Sequence, residues 1–313
     1  MKNNNENDYL NNVNPKIYQN NQIPNNNQNN NKPVQQINTN QQPIVNQQAA
    51  PPQFGGIQYN FVEDPLIELA NSVGAVIYQQ INMMEIISGY KLPNTYHVLV
   101  QDSNGQYKYL FKGNEKKGKI DECQCYCCFF FKIFIKHIKN QEMFNQNFEN
   151  YFATIEKPYI CTCCCCGRPY MECNYGDGTK IGKVIEAYTC CDPKFCIYDE
   201  NNKIKYSINC DCCQSSFCCR NSNLEGKFLE CLFEICEENG NVDGYIKRLP
   251  SQGMQMFSNS DSYYIKFPNN ASPLDKLLII FTTILIDYQY FEAGPGEQQY
   301  AGIDINRKRK RRY

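Results

Sequence analysis

The chain has 313 residues, with 31 Lys and Arg against 32 Asp and Glu, which gives a formal net charge of −1. Six of the positive charges lie together at residues 307–312, so the rest of the chain is mildly acidic and does not indicate nucleic-acid binding. With 2 His and no Trp, the composition also disfavours a His-based metal or acid–base centre.

Residues 1–60 are predicted to be disordered. Asn and Gln make up half of this segment, and it has too little apolar surface to offset the entropy cost of ordering. Its polar start contains no apolar signal-peptide core, which indicates a reducing cytosolic setting and disfavours disulfides. We expect one folded domain over residues 61–295 and a basic tail over residues 296–313, and we assign contacts with protein partners to the N-terminal segment.

Short β-branched and aromatic runs follow a short helical lead-in at residues 66–70. Several runs alternate apolar with polar side chains, as half-buried strands do. Turn sequences separate them, namely Asn104-Gly105, Asp177-Gly178, Glu200-Asn201-Asn202 and Asn239-Gly240. Many short strands with regular turns predict an antiparallel barrel or sandwich. The predicted strands are residues 76–78, 96–100, 107–111, 183–188, 195–198, 203–208 and 263–267.

Residues 274–291 have a different pattern, that of a helix apolar on every side. Its charge-free core is ten residues long, between Lys276 and Asp287, whereas a membrane-spanning helix needs about 20 apolar residues. A helix apolar all round is buried in protein or in lipid, and we favour a helix enclosed by the strands. If it spans a membrane, the basic tail predicts a cytosolic C-terminus. Its core residues are Leu277, Leu278, Ile279, Ile280, Phe281, Ile284, Leu285 and Ile286.

All 20 cysteines lie between Cys123 and Cys236, and five of them fall within residues 161–166. Thiols this close cannot all pair in unstrained disulfides, so the cluster is bound to metal, left reduced or covalently modified. The spacings do not clearly match the paired ligands of a zinc site, although two loops could combine. S-acylation suits thiols beside large apolar residues, as at residues 127–131. Cys173, Cys231 and Cys236 are expected to be small buried hydrophobes.

Bond-making catalysis is disfavoured by the residues present. A nucleophilic thiol needs a nearby base, and the chain has no phosphate-binding Gly loop for an ATP-driven mechanism. Calcium takes six to eight oxygen ligands, several of them carboxylates. The stretch at residues 259–262 supplies few charges and, taken alone, is predicted to be a polar turn before a strand.

Several longer motifs carry a family resemblance. They are Val76-Ile77-Tyr78-Gln79-Gln80-Ile81, Glu85-Ile86-Ile87-Ser88-Gly89-Tyr90, Asn104-Gly105-Gln106, Glu156-Lys157-Pro158, Ile181-Gly182-Lys183-Val184-Ile185, Pro193-Lys194-Phe195, Ile265-Lys266-Phe267-Pro268 and Leu285-Ile286-Asp287-Tyr288-Gln289-Tyr290-Phe291-Glu292. Their order and spacing over about residues 64–292 resemble those of the phospholipid scramblases.

The resemblance implies a tubby-like fold, a twelve-stranded antiparallel barrel around one hydrophobic C-terminal helix. It also implies calcium-triggered, ATP-independent movement of phospholipids between leaflets, with membrane phospholipids as partners. The protein would be attached to the plasma membrane with a cytosolic barrel. Palmitate is the implied covalent lipid, carried by Cys161, Cys163, Cys164, Cys165 and Cys166.

Two features depart from the family pattern. The segment implied to bind calcium has lost most of its acidic charge, since its positions include Asn259, Asp261, Tyr263 and Asn270, so calcium binding is expected to be weakened. The basic run at residues 307–312 is not part of the usual pattern. An acylated membrane-tethered module that binds lipids or proteins without scrambling is the alternative function.

Overall fold

The computed structural model describes residues 60–80, 92–116, 130–144, 150–160, 167–190, 192–211, 214, 231–249 and 262–291. The chain divides into two units, residues 1–58 and residues 59–313. The first unit lies outside the described residues, as does the basic tail. The predicted disorder of residues 1–60 therefore stays a prediction.

The described residues form thirteen strands and two α-helices. Strand side chains alternate between the two faces of the sheet. In residues 153–157, for example, Ala153 and Ile155 are buried whereas Thr154 and Glu156 are half-buried. The helices are α1 (Pro65–Asn71) and α2 (Pro273–Ile286), followed by a π-helical turn (Asp287–Phe291), and a 3₁₀ turn covers Glu142–Phe144. The strands are β1 (Asn60–Phe61), β2 (Ser72–Gln80), β3 (Thr95–Asp102), β4 (Tyr107–Glu115), β5 (Phe131–His137), β6 (Ala153–Lys157), β7 (Tyr170–Tyr175), β8 (Lys180–Glu186), β9 (Lys194–Asp199), β10 (Ile204–Asn209), β11 (Cys231–Glu237), β12 (Val242–Leu249) and β13 (Ser262–Lys266).

Strands β2 to β13 form a closed antiparallel barrel of twelve strands. Each strand pairs with the next one along the chain, and β13 pairs with β2 to complete the ring. The short β1 adds to the outside, parallel to β4. The predicted fold, a twelve-stranded tubby-like barrel, is confirmed. The predicted strand runs overlap β2, β3, β4, β8, β9, β10 and β13, and three of them extend one or two residues past a strand end.

Helix α2 fills the barrel. Ser272 and Asp275 form a capping box at its start, next to Pro273 at the first helical turn. Gly182 on β8 allows close packing, since a Cβ there would lie 2.9 Å from a methyl group of Leu278. The eight predicted core residues of the helix are at most 1% exposed. The structure therefore encloses the helix within the strands, and no helix in the part of the chain that it describes is both long and apolar enough to cross a membrane.

The barrel has two different ends. At the end that we call the turn end, four-residue turns join β3 to β4, β7 to β8, β9 to β10 and β11 to β12. The remaining turn-end connections are residues 138–152 and residues 267–272, the latter leading into α2. At the opposite end, which we call the loop end, six connections of 7 to 21 residues link the strands. They are residues 81–94, 116–130, 158–169, 187–193, 210–230 and 250–261.

Candidate functional site

The predicted lipidation residues Cys161, Cys163, Cys164, Cys165 and Cys166 lie outside the described residues. The described residues on either side nevertheless show where this segment joins the barrel. It follows Lys157, the last residue of β6, and precedes Tyr170, the first residue of β7. Both are loop-end positions, and Tyr159 beside the segment is 48% exposed. The thiol segment therefore leaves and re-enters the barrel at the loop end.

A buried carboxylate, Glu186, links Arg168, which follows the thiol segment, to the residues at the end of α2. Arg168 places Nη2 3.1 Å from Glu186 Oε1, and its Nε donates to the Glu186 backbone carbonyl at 3.2 Å. The Tyr290 hydroxyl donates to Oε1 at 2.6 Å, and the Gln289 amide donates to the other carboxylate oxygen. Burial, followed by the charge of Glu186, raises the pKa of Tyr290. The hydroxyl therefore stays protonated as a donor.

A second carboxylate, Asp287, holds the last turn of the helix. It is 1% exposed and accepts hydrogen bonds from the hydroxyls of Tyr96 at 2.6 Å and Tyr263 at 2.7 Å. Phe291, the last described residue, has its ring 4.3 Å from the Arg248 guanidinium carbon near the end of β12. Helix α2 thus ends at the loop end, and the chain beyond Phe291 departs from there.

The residues predicted to bind calcium do not come together among those described. Asn259 and Asp261 lie outside the described residues. Tyr263 is buried at the loop end with its hydroxyl directed at Asp287, whereas Asn270 is exposed in the turn after β13 at the turn end. The six residues between them run along β13 and into the turn that follows it, which separates the two by roughly 20 Å. Tyr263 and Asn270 therefore do not fit a shared calcium site.

The described thiols comprise one exposed, one half-buried (Cys196) and four buried groups. Cys190 is exposed at the loop end, whereas Cys173, Cys231 and Cys236 are buried, as expected of small hydrophobes. The sulfurs of Cys210 and Cys231 lie 3.8 Å apart. Their hydrogen bond, followed by burial, raises the pKa of Cys210, and burial raises that of Cys173. Among the described residues no three His, Cys, Asp or Glu side chains are grouped for a metal ion.

His97 is a structural residue and not an acid–base group. It is fully buried on the outer face of β3, where Nδ1 lies 2.6 Å from the Tyr109 hydroxyl and Nε2 lies 3.0 Å from Gln80 Oε1. Burial, followed by the charge of Lys112, lowers its pKa to about 3. The ring is therefore neutral at physiological pH and serves as a hydrogen-bonding group between strands.

Sequence reasoning missed the polar anchors of α2. Glu186 gave no local signal, because its partner Tyr290 lies 104 positions further along the chain. Lys276 and Asp287 were visible only as charges that frame an apolar run, and such framing charges are the signal that could have found them. In the structure, Lys276 Nζ is buried and donates at 2.9, 3.1 and 2.7 Å to the backbone carbonyls of Leu69, Ala70 and Ser72.

Comparison with known proteins gives these features a family context. A family model described as Scramblase matches residues 61–293. The chain is similar to phospholipid scramblase 1 of Homo sapiens, with 26% identity over 242 residues that cover 76% of this chain and 70% of that protein. It is similar to phospholipid scramblase 2 of Bos taurus, with 28% identity over 224 residues, 71% of this chain and 69% of that protein. Phospholipid scramblase 1 of Rattus norvegicus is 24% identical over 261 residues, 82% of this chain and 69% of that protein.

Proposed function

Because this chain belongs to the scramblase family, we propose that it is a membrane-attached phospholipid scramblase, which moves phospholipids between leaflets in both directions without ATP. The observation that carries the proposal is the extent of the family match. It covers residues 61–293, and so includes the twelve barrel strands, α2 and the contact between Glu186 and Tyr290. No covalent bond changes in such a step, so activity means a lower barrier for a headgroup to cross hydrocarbon.

The packing of the barrel bears on where lipid would move. Helix α2 occupies the interior, and its apolar residues 277–281 are at most 1% exposed. A charged headgroup taken into such an interior would lose its hydration without gaining polar partners. We therefore assign lipid movement to the contact between protein and bilayer, not to a path through the barrel.

The decisive experiment is reconstitution of the purified full-length chain into vesicles with fluorescent phospholipid in both leaflets. A membrane-impermeant reductant bleaches the outer leaflet only. We expect the signal to fall well below half with the protein and to stop at half in protein-free vesicles. A signal that stops at half with the protein present, with and without calcium, contradicts intrinsic scrambling.

We propose S-palmitoylation at Cys161, Cys163, Cys164, Cys165 and Cys166. The support is the family resemblance around these thiols and the loop-end position of the strand ends that flank them. One acyl chain gives only reversible membrane binding, whereas two or more anchor a protein stably. Hydroxylamine cleaves thioesters, so it should release the wild-type protein from cell membranes. A variant with all five cysteines changed to Ala should already be soluble, and equal membrane retention of both proteins contradicts the assignment.

We propose that the response to calcium is weak. The positions that the resemblance assigns to calcium retain one carboxylate, Asp261, and the Tyr263 hydroxyl is directed at Asp287. Too few charged oxygens remain to compete with the hydration of the ion. In the vesicle assay, scrambling should change little between chelator and millimolar calcium. A strict calcium requirement contradicts this proposal but leaves the scramblase assignment intact.

We place the protein at the plasma membrane with its barrel in the cytosol, which fractionation and protease protection can test. The alternative function is an acylated module that binds lipids or proteins and moves nothing. One observation favours it, namely the enclosure of α2 within the barrel. A vesicle signal that stops at half, together with hydroxylamine-sensitive membrane attachment, supports that alternative.

A further inference from the structure

Four lysines project from the outer wall of the barrel where β4 and β5 meet. The set, which we call the lysine cluster, comprises Lys112, Lys116, Lys132 and Lys136. The strand neighbours Phe111, Ile133 and Ile135 are buried in the core, so the alternation of side chains directs the lysines outward. The cluster extends from the middle of the wall to the loop end, where β4 ends and β5 begins.

Lys112 and Lys136 are directly opposite each other on the two strands. Cβ atoms at such positions lie about 4.5–5.5 Å apart, and like charges there destabilise a sheet. Burial, followed by the charge of Lys136, lowers the pKa of Lys112, and burial lowers the pKa of Lys136. The fold thus holds two ammonium groups where their repulsion opposes stability. A bound anion would remove that repulsion, which is the reason to consider an anion site at this position.

Two aromatic rings hold three of the ammonium groups in place. The Nζ atoms of Lys116 and Lys132 lie 5.8 and 5.7 Å from the centre of the Phe134 ring. Lys136 Nζ lies 5.4 Å from the centre of the Tyr151 ring, and the centres of the Phe134 and Tyr151 rings are 4.4 Å apart. A ring face attracts a cation but carries no net negative charge. The rings therefore position the ammonium groups without neutralising them.

The neighbouring strands decide where on the wall an anion would lie. On the β6 side, Glu156 lies 2.7 Å from Lys132 Nζ, and Glu172 on β7 is directly opposite Glu156. These carboxylates repel an anion from that side. On the β3 side, His97 is opposite Lys112, and its pKa of about 3 makes the ring neutral at physiological pH. The favoured position is therefore the seam between β4 and β5.

We propose that Lys112 and Lys136 form a binding site for a phosphomonoester group, with Lys116 and Lys132 attracting the anion along the same wall. A phosphomonoester carries about 1.5 to 2 negative charges at neutral pH, so it can neutralise two ammonium groups at once. A carboxylate or a phosphodiester carries a single charge. The group can belong to a lipid headgroup, as in phosphatidic acid, or to a soluble molecule. The site goes beyond the proposed function, because it requires no lipid movement.

The soluble arm of the test measures thermal unfolding of the unacylated full-length chain with glycerol 3-phosphate, against sodium chloride at the same ionic strength. A ligand that binds only the folded state raises the unfolding temperature. We expect a rise for the wild type and no rise for the double variant Lys112→Met/Lys136→Met. The matched control, Lys194→Met/Lys205→Met, removes the same charge from half-buried positions on β9 and β10 and should keep the rise.

The same measurement without ligand separates binding from folding. Lys112→Met/Lys136→Met removes the repulsion between the strands and keeps most of the side-chain volume, so it should unfold at a temperature no lower than that of the wild type. A stable variant that has lost the response to glycerol 3-phosphate assigns the two lysines to binding. A variant that unfolds well below the wild type shows that the lysines support the fold, and this result overturns the proposal.

The membrane arm measures flotation with phosphatidylcholine vesicles that contain phosphatidic acid or phosphatidylserine at matched surface charge. We expect tighter binding to phosphatidic acid, weakened at least about tenfold in Lys112→Met/Lys136→Met and unchanged in Lys194→Met/Lys205→Met. Equal binding to the two lipids overturns the preference for a phosphomonoester in a headgroup.

The two arms together identify the source of the phosphate. A response to phosphatidic acid alone assigns the site to a lipid headgroup, and a response to glycerol 3-phosphate alone assigns it to a soluble ligand. Responses in both arms show that the phosphomonoester itself is recognised. No response in either arm, or a response that both double variants lose equally, overturns the proposal. Neither arm measures scrambling, so failure of the scrambling assay leaves this result unaffected.

Discussion

The four short turns at the turn end and the contacts at the loop end of the barrel are held by different kinds of interaction. At the turn end, each four-residue turn is closed by a neighbouring side chain. Asp102 Oδ1, for example, accepts from the backbone amides of Asn104 and Gln106, both at 2.9 Å. Asp199 does the same for Asn201 at 3.0 Å and Lys203 at 2.8 Å. These contacts span at most four positions of the chain.

At the loop end, the bonds that hold the structure join distant parts of the chain. Tyr290 reaches Glu186 over 104 positions, and Asp287 accepts from Tyr96 over 191 positions. Contacts of this kind form only when the whole barrel has closed around α2, whereas the turns can form locally. The short turns of the turn end can therefore form early, whereas the loop-end contacts, like the bonds from Lys276 at the turn end, depend on the completed fold.

The largest change in the free energy of unfolding is expected on acidification, through His97 near the loop end. His97 bridges β3 to Gln80, the loop-end residue of β2, and burial lowers its pKa from 6.5 to about 3. Its contribution to stability is full above pH 6.5 and is lost as the pH falls toward 3, because the unfolded chain then binds the proton and the folded chain does not. At about 1.4 kcal/mol per pKa unit, the loss is up to about 5 kcal/mol.

The measurement is urea unfolding of the wild type and of His97→Gln between pH 7 and pH 4. The amide of glutamine keeps hydrogen-bonding capacity near Tyr109 but does not titrate. We expect a flatter pH dependence in the variant than in the wild type. Parallel curves would show that groups other than His97 control the acid sensitivity.

The next largest effect is expected at the turn end, from Lys276→Met. The substitution keeps most of the side-chain volume but removes the ammonium that donates to three carbonyls at the end of α1. Buried carbonyls left without a donor should lower the free energy of unfolding by about 3 kcal/mol. The matched control is Lys266→Met at an exposed position, where we expect a change within about 0.5 kcal/mol. Similar urea midpoints for the two variants contradict this role of Lys276.

The contrast between local and long-range contacts also explains which parts of the fold could be predicted from the sequence. The four turn sequences singled out from composition, at residues 104–105, 177–178, 200–202 and 239–240, are the four short turns of the turn end. Their signals are local, because glycines or Asn202 at positive φ and Asp or Asn side chains close each turn within a few residues. Strand alternation was likewise local, and it was enough to predict an all-β barrel or sandwich.

The arrangement at the loop end could not be predicted from local pattern. Strand β11, Cys231–Glu237, was not among the predicted strands although it alternates and although Cys231 and Cys236 were expected to be small buried hydrophobes. The positions of Glu186 and Asp287 became meaningful only when the barrel brought their tyrosine partners to them.

The smallest effect is expected from Tyr290→Phe at the loop end. The variant loses the hydroxyl that donates to Glu186 at 2.6 Å, while Arg168 and Gln289 continue to bind that carboxylate. A hydrogen bond to a charged group contributes about 1.5–3 kcal/mol, and the remaining partners should limit the loss in the free energy of unfolding to about 1–2 kcal/mol. Tyr264→Phe is the control, because its hydroxyl donates to the neutral Gln101 at 3.3 Å.

Limited proteolysis of Tyr290→Phe tests whether the two ends open separately. Local opening depends on the contacts of each region, so the loss of a loop-end bond should speed cleavage in residues 158–169. Cleavage at the turn-end residues 200–203 should keep its wild-type rate, because Asp199 still closes that turn. If both sites are cleaved faster in the same proportion, the barrel opens as one unit. The two ends would then differ in how far apart in sequence their contacts lie, but not in local stability.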